Sequence, residues 1–277
     1  MMSQIAHIVS AGCSRVARYS DPDDAVLEGV RWGRIEELLT PAFWAHQCAL
    51  RADSTDPRRF RVGESLAEDF AVCLLAGYGV PAEVGIEAAS RLKAAGLLVP
   101  SRAPSRTDIE ALLEKPLRVI GRSVRYRFYR TKAGYLCAGL QALCQSSPPE
   151  DDPKAFRAWF MRIPGVGPKT ASFITRNWLG SDEVAILDVH VVRACQAVGL
   201  FGADVNVARD YCKLERRFLD FAQAIGVKAS WLDAIMWEDM RILSLDTVAE
   251  YSAREAPAAV RRRGIGVGTG PSADTIV

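Results

Sequence analysis

The sequence predicts an all-α fold, on three observations. Helix start and stop signals recur along the chain, apolar residues return at helical spacing between them, and strand signals are scarce. Of the 277 residues, 49% are apolar and 25% charged, ordinary globular values that exclude disorder or collagen-like structure for the bulk. The longest nearly uninterrupted apolar run, Phe70 to Pro81, is broken by Gly77 and Gly79. It falls short of the roughly 20 residues that span a membrane. Among residues 1–15 the one basic side chain, Arg15, follows the apolar stretch, the reverse of a secretory signal. A soluble, cytoplasmic protein is expected, nucleoid-associated if bacterial.

Element by element, residues 1–59 hold Trp32, Phe43 and Trp44 in helical-looking stretches with a packing role. Ser65 and Glu68 form a capping box ahead of Phe70–Leu75, and Thr107 with Glu110 repeats it ahead of Leu112 and Leu113. Gly77-Tyr-Gly-Val-Pro81 reads as a tight turn, after which Val84, Ile86, Ala88, Ala89 and Leu92 continue to a stop at Gly96. Tyr126–Cys144 reads as helix, closed by Ser-Ser-Pro-Pro at 146–149, and Pro153 starts another through Phe156, Trp159 and Phe160. Val184–Leu187 reads as a short extended run with no evident partner. From about Ala256 the chain carries Arg261–Arg263 and four alternating glycines with few large apolar residues, so a flexible tail is expected.

Thirty-five Lys and Arg against 33 Asp and Glu leave a net charge of +2, which says little about partners. The distribution says more. Lys115, Arg118, Arg122, Arg125, Arg127, Arg130 and Lys132 fall within 18 residues that contain no acid. Such a block either raises local anion affinity or forms a solvated helix face. Seven cysteines at irregular spacing include no C-x-x-C pair, which removes zinc-knuckle and thioredoxin-like chemistry. Cys73 and Cys137 read as small core residues, and the odd count fits a reducing compartment.

The informative segment is Arg162-Ile-Pro-Gly-Val-Gly-Pro-Lys-Thr-Ala171. Glycines at 165 and 167 permit a tight turn, and the turn opens into a helix whose first amides point outward as a phosphate seat. By itself this is equally an ordinary helix–helix turn. Lys169 lies in the first turn of that helix, ahead of Ala171, Phe173, Ile174 and Trp178. A positive charge is disfavoured there, and partial burial adds to that, so a neutral, nucleophilic amine is expected. Asp188 interrupts the apolar run Ile186–Val192 where a new helix begins. It reads either as a helix cap or as an ionised carboxylate held rigidly near a developing cation.

The combination Ile163-Pro-Gly-Val-Gly-Pro-Lys169-Thr-Ala171 with Val184-Ala-Ile-Leu-Asp188-Val-His190, 19 positions separating Lys169 from Asp188, resembles the helix-hairpin-helix DNA glycosylase superfamily. Within it, the lysine at the hairpin is similar to the 8-oxoguanine DNA glycosylase/AP lyase branch. Phe70–Ala76 resembles the early barrel helix and Arg127–Tyr135 the middle basic segment.

The resemblance implies two helical subdomains flanking a DNA-binding cleft. Residues 60–163 would form a helical barrel, and 164–250 the hairpin, the catalytic aspartate and the closing helices. Residues 1–59 would pack with the C-terminal subdomain, and 251–277 would form the tail. It implies excision of 8-oxoguanine from duplex DNA through a Schiff base on Lys169, with Asp188 stabilising the cationic sugar. Gly165, Val166, Gly167, His190 and Lys132 would contact DNA, and Tyr78 would fill the gap left by the flipped base. Relatives commonly carry a polar amide at that wedge position. Phe173 and Trp237 would wall the base pocket, or serve only the core. Only Cys195 and Cys212 follow Asp188, too few for an iron–sulfur cluster. The expectation is therefore no metal or cofactor for the chemistry, a monovalent cation at the hairpin being the one accommodated ion. The expected partner of this monomer is double-stranded DNA containing a damaged base, not a membrane. Two other readings stay open: a glycosylase for another damaged or modified base, and a non-catalytic DNA-binding protein that keeps only the hairpin.

Overall fold

A computed structural model describes residues 3–10, 13–51, 57–77, 79–99 and 103–243. Ten α-helices dominate the described residues, accompanied by three two-stranded antiparallel hairpins. The helices are α1 (Pro41–Leu50), α2 (Leu66–Leu75), α3 (Ala82–Ala94), α4 (Arg106–Glu114), α5 (Tyr129–Gln145), α6 (Pro153–Phe160), α7 (Pro168–Leu179), α8 (Val189–Ala197), α9 (Val207–Ala224) and α10 (Ala229–Met240). The strands pair as β1 (Gln4–Ser10) with β2 (Cys13–Tyr19), β3 (Ala25–Leu27) with β4 (Val30–Arg31), and β5 (Leu117–Val119) with β6 (Arg122–Val124). None of the described helices is long and apolar enough to cross a membrane.

The apolar side chains gather into two cores. One joins Tyr19, Trp32 and Trp44 to Val191, Phe218, Phe221 and Met236, so the N-terminal segment packs with α8–α10. The other is built by α2–α7 around Phe70, Leu92, Leu136, Phe156, Phe160 and Ile174. Ile163, Val166, Ala171 and Ile174 belong to this second core. The helix that carries Lys169 therefore rests on the 60–163 side, across from the closing helices.

Local chemistry explains most boundaries. Ser65 caps α2 by accepting from the Glu68 amide, 3.3 Å, while the Glu68 carboxylate turns to the Glu64 amide, 2.9 Å, so the expected box closes one residue early. The cap of α4 is Ser105, which accepts from the Asp108 amide at 3.1 Å, two residues before the expected Thr107. Asp152 caps α6 and Pro153 begins it, as the sequence predicts.

Three differences concern strands. Trp32 lies just beyond β4, outside any helix. The helix expected from Tyr126 starts at Tyr129, because residues 117–124 form the β5–β6 hairpin. In β1–β2 the inward Ile8 and Tyr19 alternate with exposed Ile5, Val9 and Val16, and apolar residues on both faces hide the two-residue period. The flexible tail expected from residue 251 lies outside the described residues.

Asp69, buried within α2, supplies a pH prediction. Burial pushes its carboxyl up to about 6, against the amides of Val62 and Gly63, which donate to it and lower it. The folded state thus binds this proton more tightly than the unfolded chain, where the ordinary value is 3.8. A raised carboxyl penalises folding above pH 6, and the penalty lifts as pH falls through 6 toward the unfolded value. From pH 7.5 to 5 the wild type should gain about 1.4 kcal/mol relative to Asp69→Asn. Urea melts of both proteins that shift in parallel over this range would contradict it.

Candidate active site

The turn between α6 and α7 is closed by the Val166 amide, which donates to the Ile163 carbonyl at 3.1 Å. Gly165 has φ +78°, and a Cβ there would fall 2.0 Å from the Tyr135 ring, so both conformation and space demand glycine. Gly167 caps α7 in extended conformation, and a Cβ on it would meet nothing within 4 Å. Pro168 has no amide N–H, and the amides of Gly167, Lys169 and Thr170 have no backbone acceptor among the described residues. Together they make an open, electropositive helix end. Val166 contributes less than the sequence suggests: its side chain is buried in the second core and its amide is consumed by the turn.

Lys169, the second residue of α7, is half-buried and has no hydrogen bond or ion pair among the described residues. Lys132 on α5 approaches it. Burial, and then the charge of Lys169, hold the Lys132 pKa below its ordinary value, and its ammonium donates to the Leu74 carbonyl at 2.7 Å. Lys132 thus closes the C-terminal end of α2 beside Gly77.

Asp188 caps α8. Its Oδ1 accepts from the amides of His190, 2.9 Å, and Val191, 3.0 Å, which leaves Oδ2 without a donor among the described residues. His190 is half-buried, with Nδ1 2.7 Å from Arg193 Nη2. The extended run Val184–Leu187 leads into Asp188 and pairs with no strand. Side chains take the place of a partner: Ala185 donates to Glu215 (3.1 Å), Ile186 to Asp233 (3.1 Å) and Leu187 to the Tyr211 hydroxyl (3.4 Å). The same two carboxylates grip α7. Glu215 accepts from Ser172, 3.3 Å, and pairs with Arg157, while Arg176 Nη2 stands 3.5 Å from Asp233 Oδ1. Two buried acids therefore fasten the helix of Lys169 to the segment that delivers Asp188.

Lys169 and Asp188 line one cavity of about 350 Å³ together with Phe173, Trp237, Arg176, Asn177 and Asp233. Across Ala76, Gly77, Lys169, Asp188 and Trp237 it adjoins a wider cleft of about 600 Å³ that His190 and Arg241 also border. Phe173 and Trp237 are half-buried on the walls, and the Arg241 guanidinium lies 4.8 Å from the Trp237 ring centre. Among the described residues Arg176 Nε and Asn177 Oδ1 are buried without a hydrogen-bond partner, and Asp233 Oδ1 has only the Arg176 guanidinium at 3.5 Å. Burial pushes the Asp233 carboxyl up to about 6, against the opposing pull of Arg176. A separate cavity of about 550 Å³, bounded by Ala17, Trp32 and Trp231, contains neither Lys169 nor Asp188.

A family model described as 8-oxoguanine DNA glycosylase matches residues 61–227, a span that includes the turn, Lys169 and Asp188. The chain belongs to the 8-oxoguanine DNA glycosylase family. It is 29% identical over 134 residues to an 8-oxoguanine DNA glycosylase/AP lyase of Saccharolobus islandicus, covering 45% of this chain and 64% of that protein. It is 30% identical over 133 residues to the protein of the same description from Methanocaldococcus jannaschii, covering 45% and 60%. The alignments thus span less than two thirds of those relatives. The crystal structure of Methanocaldococcus jannaschii 8-oxoguanine DNA glycosylase matches with a TM-score of 0.50 at 25% identity, over 68% of this chain and 80% of that one.

In this family member the structure brings Lys169, Asp188, Phe173 and Trp237 to one cavity, with His190 at its mouth and Gly165 and Gly167 in the turn. Tyr78 lies outside the described residues. The sequence reading missed Arg176, Asn177, Glu215 and Asp233. Their signal was slight: Glu215 and Asp233 are single acids among the buried residues of α9 and α10, where burial demands a partner, whereas Arg176 and Asn177 stand beside Ser172 and Thr175 on the buried part of α7.

Proposed function

We propose that the protein is a bifunctional DNA glycosylase/AP lyase that excises 8-oxoguanine from double-stranded DNA. The observation that carries this reading is one cavity shared by a lysine and a carboxylate oxygen, neither with a hydrogen-bond partner among the described residues, and by two half-buried aromatic walls. The open end of α7 seats the phosphate backbone, which positions DNA without reading sequence. The damaged purine turns out of the stack into the cavity between Phe173 and Trp237. Lys169 Nζ attacks the anomeric carbon, the bond to the base nitrogen breaks, and Asp188 stabilises the cationic sugar and takes the amine proton. Ring opening leaves an imine, and loss of a 2′ proton then expels the 3′ phosphate. No cofactor is needed for these steps; a monovalent cation at the turn would add to the same backbone contact.

The choice of lesion is supported by the family to which the chain belongs and by relatives described as 8-oxoguanine DNA glycosylase/AP lyases. Guanine presents only an acceptor at N7, whereas 8-oxoguanine presents an N–H there and an added carbonyl beside it, so the two bases differ in the hydrogen bonds they offer a pocket.

The test is a panel of duplexes, each with one defined lesion. The expected result is strand cleavage at 8-oxoguanine, with undamaged guanine left intact. Silence at 8-oxoguanine with strong excision of another base would transfer the same machinery to that substrate. Binding without excision anywhere on the panel would leave only the DNA-binding reading.

A further inference from the structure

The basic block of the sequence lies outside the cavity and takes no part in the chemistry above. Its first half is the β5–β6 hairpin, in which Leu117 pairs with Val124, Arg118 with Ser123 and Val119 with Arg122. Ile120 and Gly121 make the turn with φ of +47° and +74°, the left-handed geometry that suits hairpin twist. Asn or Asp ordinarily precedes glycine there, because a β-branched residue at positive φ is strained. Ile120 is nonetheless 85% exposed, so packing among the described residues does little to offset the strain. A strained apolar side chain standing in water gains from whatever covers it.

Charge identifies the cover. Arg118, Arg122, Arg125 and Arg127 are exposed and form no ion pair among the described residues. Guanidinium groups around an apolar tip complement a polyanion that has an apolar interior, and duplex DNA is one. Position agrees. The Tyr126 hydroxyl donates to the Leu75 carbonyl at 2.7 Å, and the Phe128 ring comes within 3.4 Å of a Cβ built on Gly79. β6 therefore runs straight to the rim of the cleft that Gly77 and Gly79 border. Fully extended, the eight residues from Gly121 to Phe128 reach at most about 25 Å, or about seven base-pair rises.

We propose that the β5–β6 hairpin is a second DNA contact. Ile120 enters the minor groove of the duplex arm within about seven base pairs of the flipped nucleotide, and Arg118 and Arg122 hold the flanking phosphates. This rests on duplex DNA being the partner, as proposed above.

The experiment compares the wild type, Ile120→Asn and the double variant Arg118→Ser/Arg122→Ser. The probes are two long duplexes of 30 base pairs, one with a central 8-oxoguanine and one undamaged. Ile120→Asn suits the turn, so its melting temperature should not fall, while affinity for both long duplexes should drop about tenfold. The double variant should lower the slope of log Kd against log salt by about 1.8 on the long duplexes. Wild-type affinity of either variant for the long duplexes overturns the proposal. Because the undamaged duplex is read in parallel, a wrong lesion leaves this test standing, whereas failure of the wild type to bind any duplex removes both readings.

Discussion

Lys169→Gln should abolish the borohydride-trapped adduct and strand cleavage while leaving the fold at least as stable as the wild type. The two halves of this expectation have separate physical origins. Lys169 makes no hydrogen bond or ion pair among the described residues, so its removal strands no partner. Its charge sits near the Lys132 ammonium and at the N-terminal end of α7, both unfavourable places for a cation. Neutralising it relieves about 0.3–1 kcal/mol of helix-end repulsion. Chemistry has no such tolerance. Without the amine there is no covalent intermediate, so lyase activity is lost and base excision should fall on the order of 10³-fold or more. Duplex affinity should change little, since the backbone amides of the turn remain. Thermal melts, adduct gels and single-turnover excision check the three statements independently. Lys132→Gln provides the control, because it is the neighbouring amine. An adduct that survives Lys169→Gln and vanishes in Lys132→Gln would reassign the nucleophile.

The route to this site was partly legible in the sequence, for definite reasons. Gly165 and Pro168 announce a turn that opens a helix, and Lys169 and Asp188 are each out of place in apolar surroundings, so local chemistry reveals them. Phe173 and Trp237 were ambiguous, because a core residue and a pocket wall have the same composition, and only the half-buried state separates them. The pocket floor was hidden for another reason. Arg176, Asn177 and Asp233 lie on two helices more than 50 residues apart, and nothing in either helix reveals what faces it. The hairpins escaped similarly. Ile120-Gly121 lacks the Asn-Gly signature, and the apolar Ile5, Val9 and Val16 on the outer face of β1–β2 mask its alternation. Helical content followed from caps and spacing, which are local. Pairing partners are not.

The second large effect is expected at Glu215, a residue that touches no substrate. Its carboxylate is 5% exposed and joins three elements: Arg157 on α6, Ser172 on α7 and the Ala185 amide three residues before Asp188. Glu215→Ala would leave a largely buried guanidinium without its ion pair and the Ala185 amide without its acceptor, while Ser172 would keep only its contact to Arg157. Breaking such a pair from one side costs about 3–5 kcal/mol. In a chain of this size that is a fall of roughly 10 °C in melting temperature. Removing both charges, as in Arg157→Met/Glu215→Leu, should recover much of the loss, because the penalty comes from the stranded ion more than from the absent attraction. Glu215→Gln separates position from stability. It keeps the shape and an amide oxygen that can still accept from Ala185 or Arg157, so it should destabilise less than Glu215→Ala although the Arg157 charge is left uncompensated. The weaker grip on α7 lets Lys169 and Asp188 drift relative to each other, and kcat should fall with KM little changed, since the backbone contacts are intact. A Glu215→Gln enzyme with wild-type kcat would show that α7 and the Asp188 segment are aligned by their apolar packing alone. A double variant as unstable as Glu215→Ala would show that the acid's bonds to Ser172 and Ala185, and not its charge, hold the two cores in register.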